Sequence, residues 1–399
     1  IQIVHHVRRE LNRNSVLLVG INCGMLKPDT LIELFRKNQD RLFSSWTMRF
    51  RRLVYNKYVG DRRINLALQR YFSGMSPDYE IHQEPDEALF DLDTLESMTD
   101  ESEYQVRYYH GHGNSRYDYI KIYAPRANRL SDLVPVLSDF GFTIEGDFTF
   151  PYRTAEFERF TYAFRVPPRP QVSDAHRRRI ADAIEAALNE HTTCESVNQL
   201  VVDADLTARE LNLLKAFCAF YFQIDKSFSR ISLNQRLLAQ PDFIRALTVY
   251  FHARLGPDAS PKQEQAALAQ CESSFAAIES VLDETLCRSF LNIVQAIVRT
   301  TYYLQRSEIA FKIHSKSIDL IPEPVPLFEI FVYGYELEGV HLRGGLVARG
   351  GIRWSDRNDD FRTEVLGLMK AQMVKNTVIV PVGSKGGFVL KNRTFADRA

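Results

Sequence analysis

Residues 346–391 constrain the fold most, because they place a helical pattern between two basic, glycine-rich segments. Five residues recur at intervals of three and four and so share one face of a helix: Phe361, Val365, Leu368, Met369 and Gln372. This spacing predicts a helix that ends at Lys375. Residues 377–382 are rich in β-branched side chains and too few for a helix, so we expect a buried strand there.

The predicted strand leads into a lysine that lies among glycines. Gly383 precedes Ser384 and Lys385, and Gly386 and Gly387 follow. These glycines predict a turn in which the backbone approaches a ligand without interference from Cβ atoms. Lys385 is then expected at the carboxyl end of a strand, where open α/β sheets usually hold their ligands.

A second group of basic residues precedes the predicted helix. The glycine pair Gly350 and Gly351 lies between two arginines. Because clustered cations repel one another, a crevice that brings several of them together is expected to bind an anion. The cations that we expect to converge are Arg349, Arg353, Lys375 and Lys385.

These segments carry a resemblance to a known family. Arg-Gly-Gly-Ile-Arg at 349–353, Met-Val-Lys-Asn at 373–376 and Val-Pro-Val-Gly-Ser-Lys-Gly-Gly at 380–387 resemble the substrate-domain motifs of the glutamate dehydrogenase group. The longer sequence of residues 351–372 is similar to the corresponding segment of the large, multidomain NAD-specific glutamate dehydrogenases. The similarity is strongest over residues 328–391 and weaker upstream.

The resemblance implies a role for each matching residue. Lys385 would be the catalytic lysine that polarises the 2-oxo or imino carbon and handles the proton, and Lys375 would hold the substrate α-carboxylate. Arg349 stands where the smaller enzymes usually have a lysine that grips the distal carboxylate, and an arginine binds a carboxylate through two parallel hydrogen bonds. Gly350, Gly351 and Arg353 would complete the substrate-binding site.

The implied reaction is the reversible oxidative deamination of L-glutamate to 2-oxoglutarate and ammonia, with NAD as the cofactor. The resemblance also implies a homo-oligomer in amino acid catabolism, and an NAD-binding domain and an acidic proton donor beyond residue 399. We therefore expect the chain to be a piece that lacks the nucleotide-binding domain and is inactive alone. This chain has Gly-Ser-Lys where the smaller enzymes often have Gly-Gly-Ala-Lys.

Composition narrows the class of protein. The 399 residues carry 50 Lys+Arg and 50 Asp+Glu, so a basic excess that would favour nucleic acid is absent. No apolar run in the sequence reaches the roughly 18 residues that a membrane span needs. The five cysteines lack paired spacing, which predicts reduced thiols, a cytoplasmic protein and no metal site. His110 and His112 lack an obvious third metal ligand.

The pattern along the chain predicts a multidomain α+β protein in four regions. Residues 1–102 are expected to be mostly helical, but the fold of residues 1–45 stays open, and residues 17–21 suit a buried strand. Residues 103–166 alternate with a period of two around a helical segment, and the resulting order of strands and helix resembles an ACT-like βαββ regulatory module. Residues 171–306 are predicted to be helical, with Asp205 or Thr207 as one N-cap. Residues 307–399 begin the catalytic, substrate-binding domain.

Two alternatives remain open from the sequence. The chain is either part of a dehydrogenase or a non-catalytic regulatory and assembly fragment whose ACT-like module binds an amino-acid effector. A third hypothesis keeps the dehydrogenase but replaces glutamate by another amino acid.

Overall fold

The computed structural model describes residues 2–11, 14–22, 45–58, 63–76, 78–111, 115–346, 349–375 and 383–391. The chain forms two compact units. One contains residues 1–100 and 150–160, and the other contains residues 101–149 and 161–399.

The first unit combines a hairpin with helices. Strands β1 (Gln2–Leu11) and β2 (Asn14–Asn22) pair antiparallel, so the strand expected at residues 17–21 is confirmed, and residues 2–22, whose fold the sequence left open, form a hairpin. An aromatic cluster fills the helical part, with ring centroids 4.0 Å apart for Phe50 and Tyr71 and 5.2 Å apart for Trp46 and Phe50. The helices are α1 (Trp46–Lys57), α2 (Arg63–Gly74), α3 (Tyr79–His82) and α4 (Pro85–Ser97).

Residues 103–166 contain two strands, a helix and two further strands, as the alternating pattern predicts. The sheet order is β3-β4-β6-β5. Gly141 follows the helix with a φ of 75°, the left-handed conformation expected of a residue just beyond a helix C-terminus. The elements are β3 (Gln105–His110), β4 (Asp118–Ala124), α5 (Leu130–Asp139), β5 (Gly146–Arg153) and β6 (Glu158–Val166).

Helices then dominate up to residue 296. Thr207 is the N-cap predicted from the sequence, because its side chain accepts from the Glu210 N–H while the Glu210 carboxylate accepts from the Thr207 N–H. Among the described residues, no helix is both long enough and apolar enough to cross a bilayer. The helices are α6 (Asp174–Leu188), α7 (Leu200–Asp203), α8 (Ala208–Ile224), α9 (Arg230–Leu238), α10 (Pro241–Leu255), α11 (Pro261–Ser273) and α12 (Val281–Ala296).

The prediction of helix up to residue 306 is wrong for residues 297–300. They form β7 (Ile297–Thr300), which pairs antiparallel with β8 (Ile309–His314). The β-branched residues of this segment suit a pleated surface, and pairing with the next strand along the chain overrides the helical pattern before it.

A six-stranded sheet organises the rest of the second unit. Its order is β11-β12-β10-β9-β8-β7, and within the described residues β11 and β12 are the only two of these strands that run parallel. One face packs on α8, where Phe217 stacks on Phe311 and Phe220 lies against Phe331, both at 5.3 Å between ring centroids. The remaining elements are β9 (Phe328–Tyr333), β10 (Leu337–Arg343), β11 (Ile352–Trp354), α13 (Phe361–Lys375) and β12 (Ser384–Leu390).

The helix predicted in the C-terminal segment is confirmed, whereas the prediction of a glycine turn after it is wrong. α13 spans the predicted residues, and Phe361, Val365 and Met369 are buried. Lys385, Gly386 and Gly387 lie inside β12 instead of in a turn: all three pair with β10, and the two glycines also pair with β11. The strand predicted at residues 377–382 lies outside the described residues.

A buried ion pair joins α13 to the sheet. Arg362 and Glu329 are 1% and 0% exposed, and the Arg362 guanidinium donates two hydrogen bonds to the Glu329 carboxylate, one of them 2.8 Å long from Nε. The backbone N–H of Arg362 donates to Oε1 of Gln223 on α8 at 3.2 Å. The pair therefore fixes α13, β9 and α8 to one another.

We expect Glu329→Gln to lower the free energy of unfolding by about 3–5 kcal/mol, because it leaves the Arg362 charge buried without its counterion. Urea unfolding followed by circular dichroism measures the change. Asp360→Asn is the control, since it breaks the exposed pair between Arg357 and Asp360 and should change stability little. Equal effects of the two substitutions would show that the buried pair has no special role.

Candidate active site

The glycine pair lies directly against the strand that carries Lys385. A Cβ atom on Gly350 would be 1.4 Å from the carbonyl oxygen of Ser384, so only glycine fits there without displacing backbone. Arg349 forms a parallel bridge with Gly383, and the Gly386 N–H donates to the carbonyl of Gly351 at 3.0 Å. Close backbone contact therefore fixes this loop beside β12.

Lys385 lies on the face of the sheet that α13 covers. It is half-buried, and it pairs in register with Leu342, which is fully buried. Alternate residues of a strand share a face, so Lys385 and Gly387 point the same way. A Cβ on Gly387 would be 2.4 Å from Cγ2 of Val365, which identifies this face as the one beneath α13.

The end of α13 reaches the same place. The side-chain amide of Gln372 donates to the carbonyl oxygen of Arg349 at 3.2 Å. Lys375 is three residues further along the helix, so its backbone lies about one turn beyond this contact. The side chain of Lys375 lies outside the described residues.

The two arginines differ in their surroundings. Arg349 is exposed beside the glycine pair. Arg353 lies on β11 opposite Gly387, on the α13 face, and its Nε is 3.2 Å from Oε1 of Glu364. The Glu364 carboxylate already balances the Arg353 charge, whereas Arg349 has its guanidinium at the surface. The substrate-binding roles of both arginines remain predictions.

Sequence patterns missed one pair of residues in this region. His341 Nε2 and the buried Ser384 Oγ are in hydrogen-bonding contact at 2.8 Å, next to Lys385 on the opposite face of the sheet. Burial, and to a lesser extent the charge of Arg343, lowers the pKa of His341. The pairing of β10 with β12 brings the two side chains together, and the local sequence pattern does not predict that pairing.

The arrangement suits a small carboxylate. It gathers a half-buried lysine, an exposed arginine and a glycine backbone where two strands and a helix end meet. The same residues do not build a dinucleotide site. Such sites lie at the carboxyl edge of a parallel sheet, next to a glycine-rich turn that opens a helix, whereas the part of this sheet that the structure describes has one parallel pair of strands.

Comparison with known proteins gives matches over much of the second unit. Residues 270–399 match the family model for the catalytic domain of bacterial NAD-glutamate dehydrogenase. Residues 183–257 match the model for helical motif 3 of glutamate dehydrogenase.

Three curated relatives carry the name NAD-specific glutamate dehydrogenase. The protein from Mycobacterium tuberculosis is 35% identical over 346 residues, which cover 80% of this chain and 21% of the relative. The protein from Pseudomonas aeruginosa is 34% identical over 369 residues, which cover 86% and 22%. The protein from Halomonas elongata is 35% identical over 275 residues, which cover 66% and 17%. The chain spans about a fifth of the length of the first two relatives.

We expect Gly350→Ala to destabilise the protein by roughly 1–3 kcal/mol, because the new methyl group collides with the Ser384 carbonyl. Gly351→Ala is the matched control, since a Cβ there meets nothing within 4 Å. Urea unfolding midpoints of the two variants provide the comparison. If Gly351→Ala is as destabilising as Gly350→Ala, close approach to β12 is not what requires the glycine.

The lowered pKa of His341 predicts a pH dependence of stability. The folded state favours the neutral ring, so this contribution is present above the unfolded pKa of about 6.5 and is lost as the pH falls through the lower folded pKa. His341→Gln removes the titration, and its amide still reaches Ser384. Between about pH 7.5 and about pH 5, the native protein should therefore lose more thermal stability than the variant. Parallel losses would contradict this role of His341.

Proposed function

Because the chain belongs to the family of NAD-specific glutamate dehydrogenases, we propose that its residues 349–391 bind glutamate in the active site of such an enzyme. The single observation that carries the proposal is the convergence of three segments. The loop at Arg349, the start of β12 at Lys385 and the last turn of α13 meet at one end of the sheet.

The reaction converts L-glutamate, NAD and water into 2-oxoglutarate, ammonia and NADH. The described residues do not form the NAD site, so their part concerns the substrate alone. Holding the substrate at both ends orients C2 and its hydrogen, which removes most of the orientational entropy from the barrier.

Each basic residue has a distinct role in the proposal. The Lys385 ammonium hydrogen-bonds the oxygen or nitrogen on C2, polarises that carbon and exchanges a proton with the attacking water. Lys375 pairs with the α-carboxylate. Arg349 binds the distal carboxylate through its planar guanidinium, and its exposure leaves it free to adjust to the substrate. Gly350 and Gly351 let the substrate approach the backbone, and Arg353, held by its ion pair with Glu364, lines the site beside them.

Two finer assignments belong to the same proposal. We infer that residues 103–166 form an ACT-like module that serves mainly in packing, supported by its predicted strands and helix and by its four-stranded sheet. A cytoplasmic location is supported by four free cysteines among the described residues, because thiols persist in reducing compartments. A homo-oligomer is proposed by family membership alone.

The regulatory alternative makes a different prediction from the enzyme. If the chain serves only as a sensor, amino-acid binding depends on residues 117–152 and survives Lys375→Ala. If it serves as the enzyme, glutamate binding depends on Lys375.

In the full-length enzyme, we expect Lys385→Ala to lower kcat by about 10²- to 10⁴-fold with folding intact, because it removes the proton-transfer group. Lys375→Ala should mainly raise KM for glutamate, because it removes a contact made before the chemical step. NADH absorbance reports the rates, and circular dichroism reports folding.

Lys370→Ala is the matched control, since Lys370 is an exposed lysine of the same helix and should leave both constants unchanged. A near-normal kcat for Lys385→Ala would refute the catalytic assignment. Non-acidic amino acids tested in the same assay decide the substrate. If they are turned over at the rate of glutamate, Arg349 does not select a distal carboxylate and the enzyme has a different specificity.

A further inference from the structure

A separate cavity lies at the opposite end of β12 from Lys385. Its volume is about 340 Å³, within the usual range for small-molecule sites. It is enclosed by helices α8 and α9, by the ends of β9, β10 and β12, and by Asn358 in the turn before α13. Lys391, which lines the cavity, is six positions after Lys385, or roughly 20 Å away along a strand.

The base of the cavity holds a buried cation. Lys215 on α8 is 3% exposed. Its ammonium donates to Thr192 Oγ1 at 2.9 Å and to the carbonyl of Thr193, which leaves one of three protons for another acceptor. Burial lowers the pKa of Lys215 to about 8, so the group is still mostly charged at neutral pH. A buried cation of this kind favours a ligand that brings negative charge.

An acid lines the same cavity without pairing with that lysine. Glu195 accepts from Thr193 Oγ1 at 2.7 Å and from the Asn234 amide at 3.3 Å, and a carboxylate has capacity for further donors. Among the described residues, no ion pair within 4.0 Å joins Glu195 to Lys215. Opposite charges that line one cavity without touching are suited to a ligand that carries both charges itself.

The other lining groups define the mouth and the walls. Arg230 lies over the Phe222 ring at 4.3 Å and adds a second cation. Lys391 and Glu338 pair at 2.9 Å and cancel each other's charge. Apolar side chains complete the lining: Val197, Leu233 and Val389.

We propose that this cavity binds a small zwitterionic α-amino acid with an apolar side chain. The ligand carboxylate binds between Lys215 and Arg230, its ammonium binds Glu195, and its side chain packs on the apolar wall. The cavity shares no residue with the glutamate site, so this proposal does not depend on the proposed function. A bound ligand would contact the end of β12 and the turn before α13, the two elements that carry Lys385 and Lys375.

Isothermal titration calorimetry of the complete chain tests the proposal with three probes: L-valine, isovalerate and isobutylamine. L-valine carries both charges, and each of the other two carries one of them on the same apolar group. We expect L-valine to bind at least about tenfold more tightly than either of them. Equal binding of isovalerate, or no L-valine binding up to about 10 mM, overturns the proposal.

Substitutions locate the binding site. Lys215→Met and Glu195→Gln should each weaken L-valine binding by at least about tenfold, while the exposed Lys262→Ala should leave it unchanged. Glu195→Gln preserves shape and hydrogen bonding, and Lys215→Met removes a buried charge, so both variants should fold; thermal unfolding confirms this. Undiminished binding by both variants refutes the site.

A final comparison separates this site from the glutamate site. L-valine binding should survive Lys385→Ala and should not be displaced by L-glutamate. If Lys385→Ala abolishes it, the amino acid occupies the substrate site and the cavity proposal fails, whereas the proposed function stands. If cavity variants lose L-valine binding but Lys385→Ala retains full turnover, the cavity proposal stands and the proposed function fails.

Discussion

The second unit depends on one buried ion pair. Arg362 lies in the first turn of α13, and Glu329 lies on β9, one strand further into the sheet than β10. A buried charge is tolerated only when its partner is held in good geometry. The ion pair therefore restricts where α13 can lie over the sheet. The Gln223 contact extends the constraint to α8. The position of α13 in turn decides where its last turn, and with it Lys375, ends.

Glycine supplies the complementary constraint, since it removes the side chains that would keep these elements apart. Gly387 lets Val365 of α13 approach β12, and Gly350 lets its loop lie on the Ser384 carbonyl. The glycines around Lys385 therefore serve mainly to bring a helix, a loop and a strand close enough for one substrate to touch all three. From the sequence alone these glycines predict a turn, because an isolated glycine indicates conformational freedom. Their role in close packing depends on neighbours that are distant in the chain.

Local patterns predicted the elements better than their pairing. The interval of three and four predicted α13, the alternation predicted β3 to β6, and Thr207 was one of two residues predicted to begin α8, since each of these is specified within one segment. β7 and β12 were missed because each is a strand only through a partner elsewhere in the chain. For the same reason the sequence did not predict the His341 contact with Ser384 or the cavity that Lys215 and Glu195 line. In each case the residues come from separate parts of the chain.

β12 connects the two regions that carry chemistry. It is hydrogen-bonded to β10 along its length and to β11 over residues 386–388, so its residues cannot shift independently of the sheet. Lys385 is thereby held on a rigid element, as a catalytic group requires, whereas the exposed side chain of Arg349 can adjust to a carboxylate. The far end of the strand opens into the cavity through Val389. A ligand there contacts the strand directly, and any displacement that it causes must be shared by the sheet that positions Lys385.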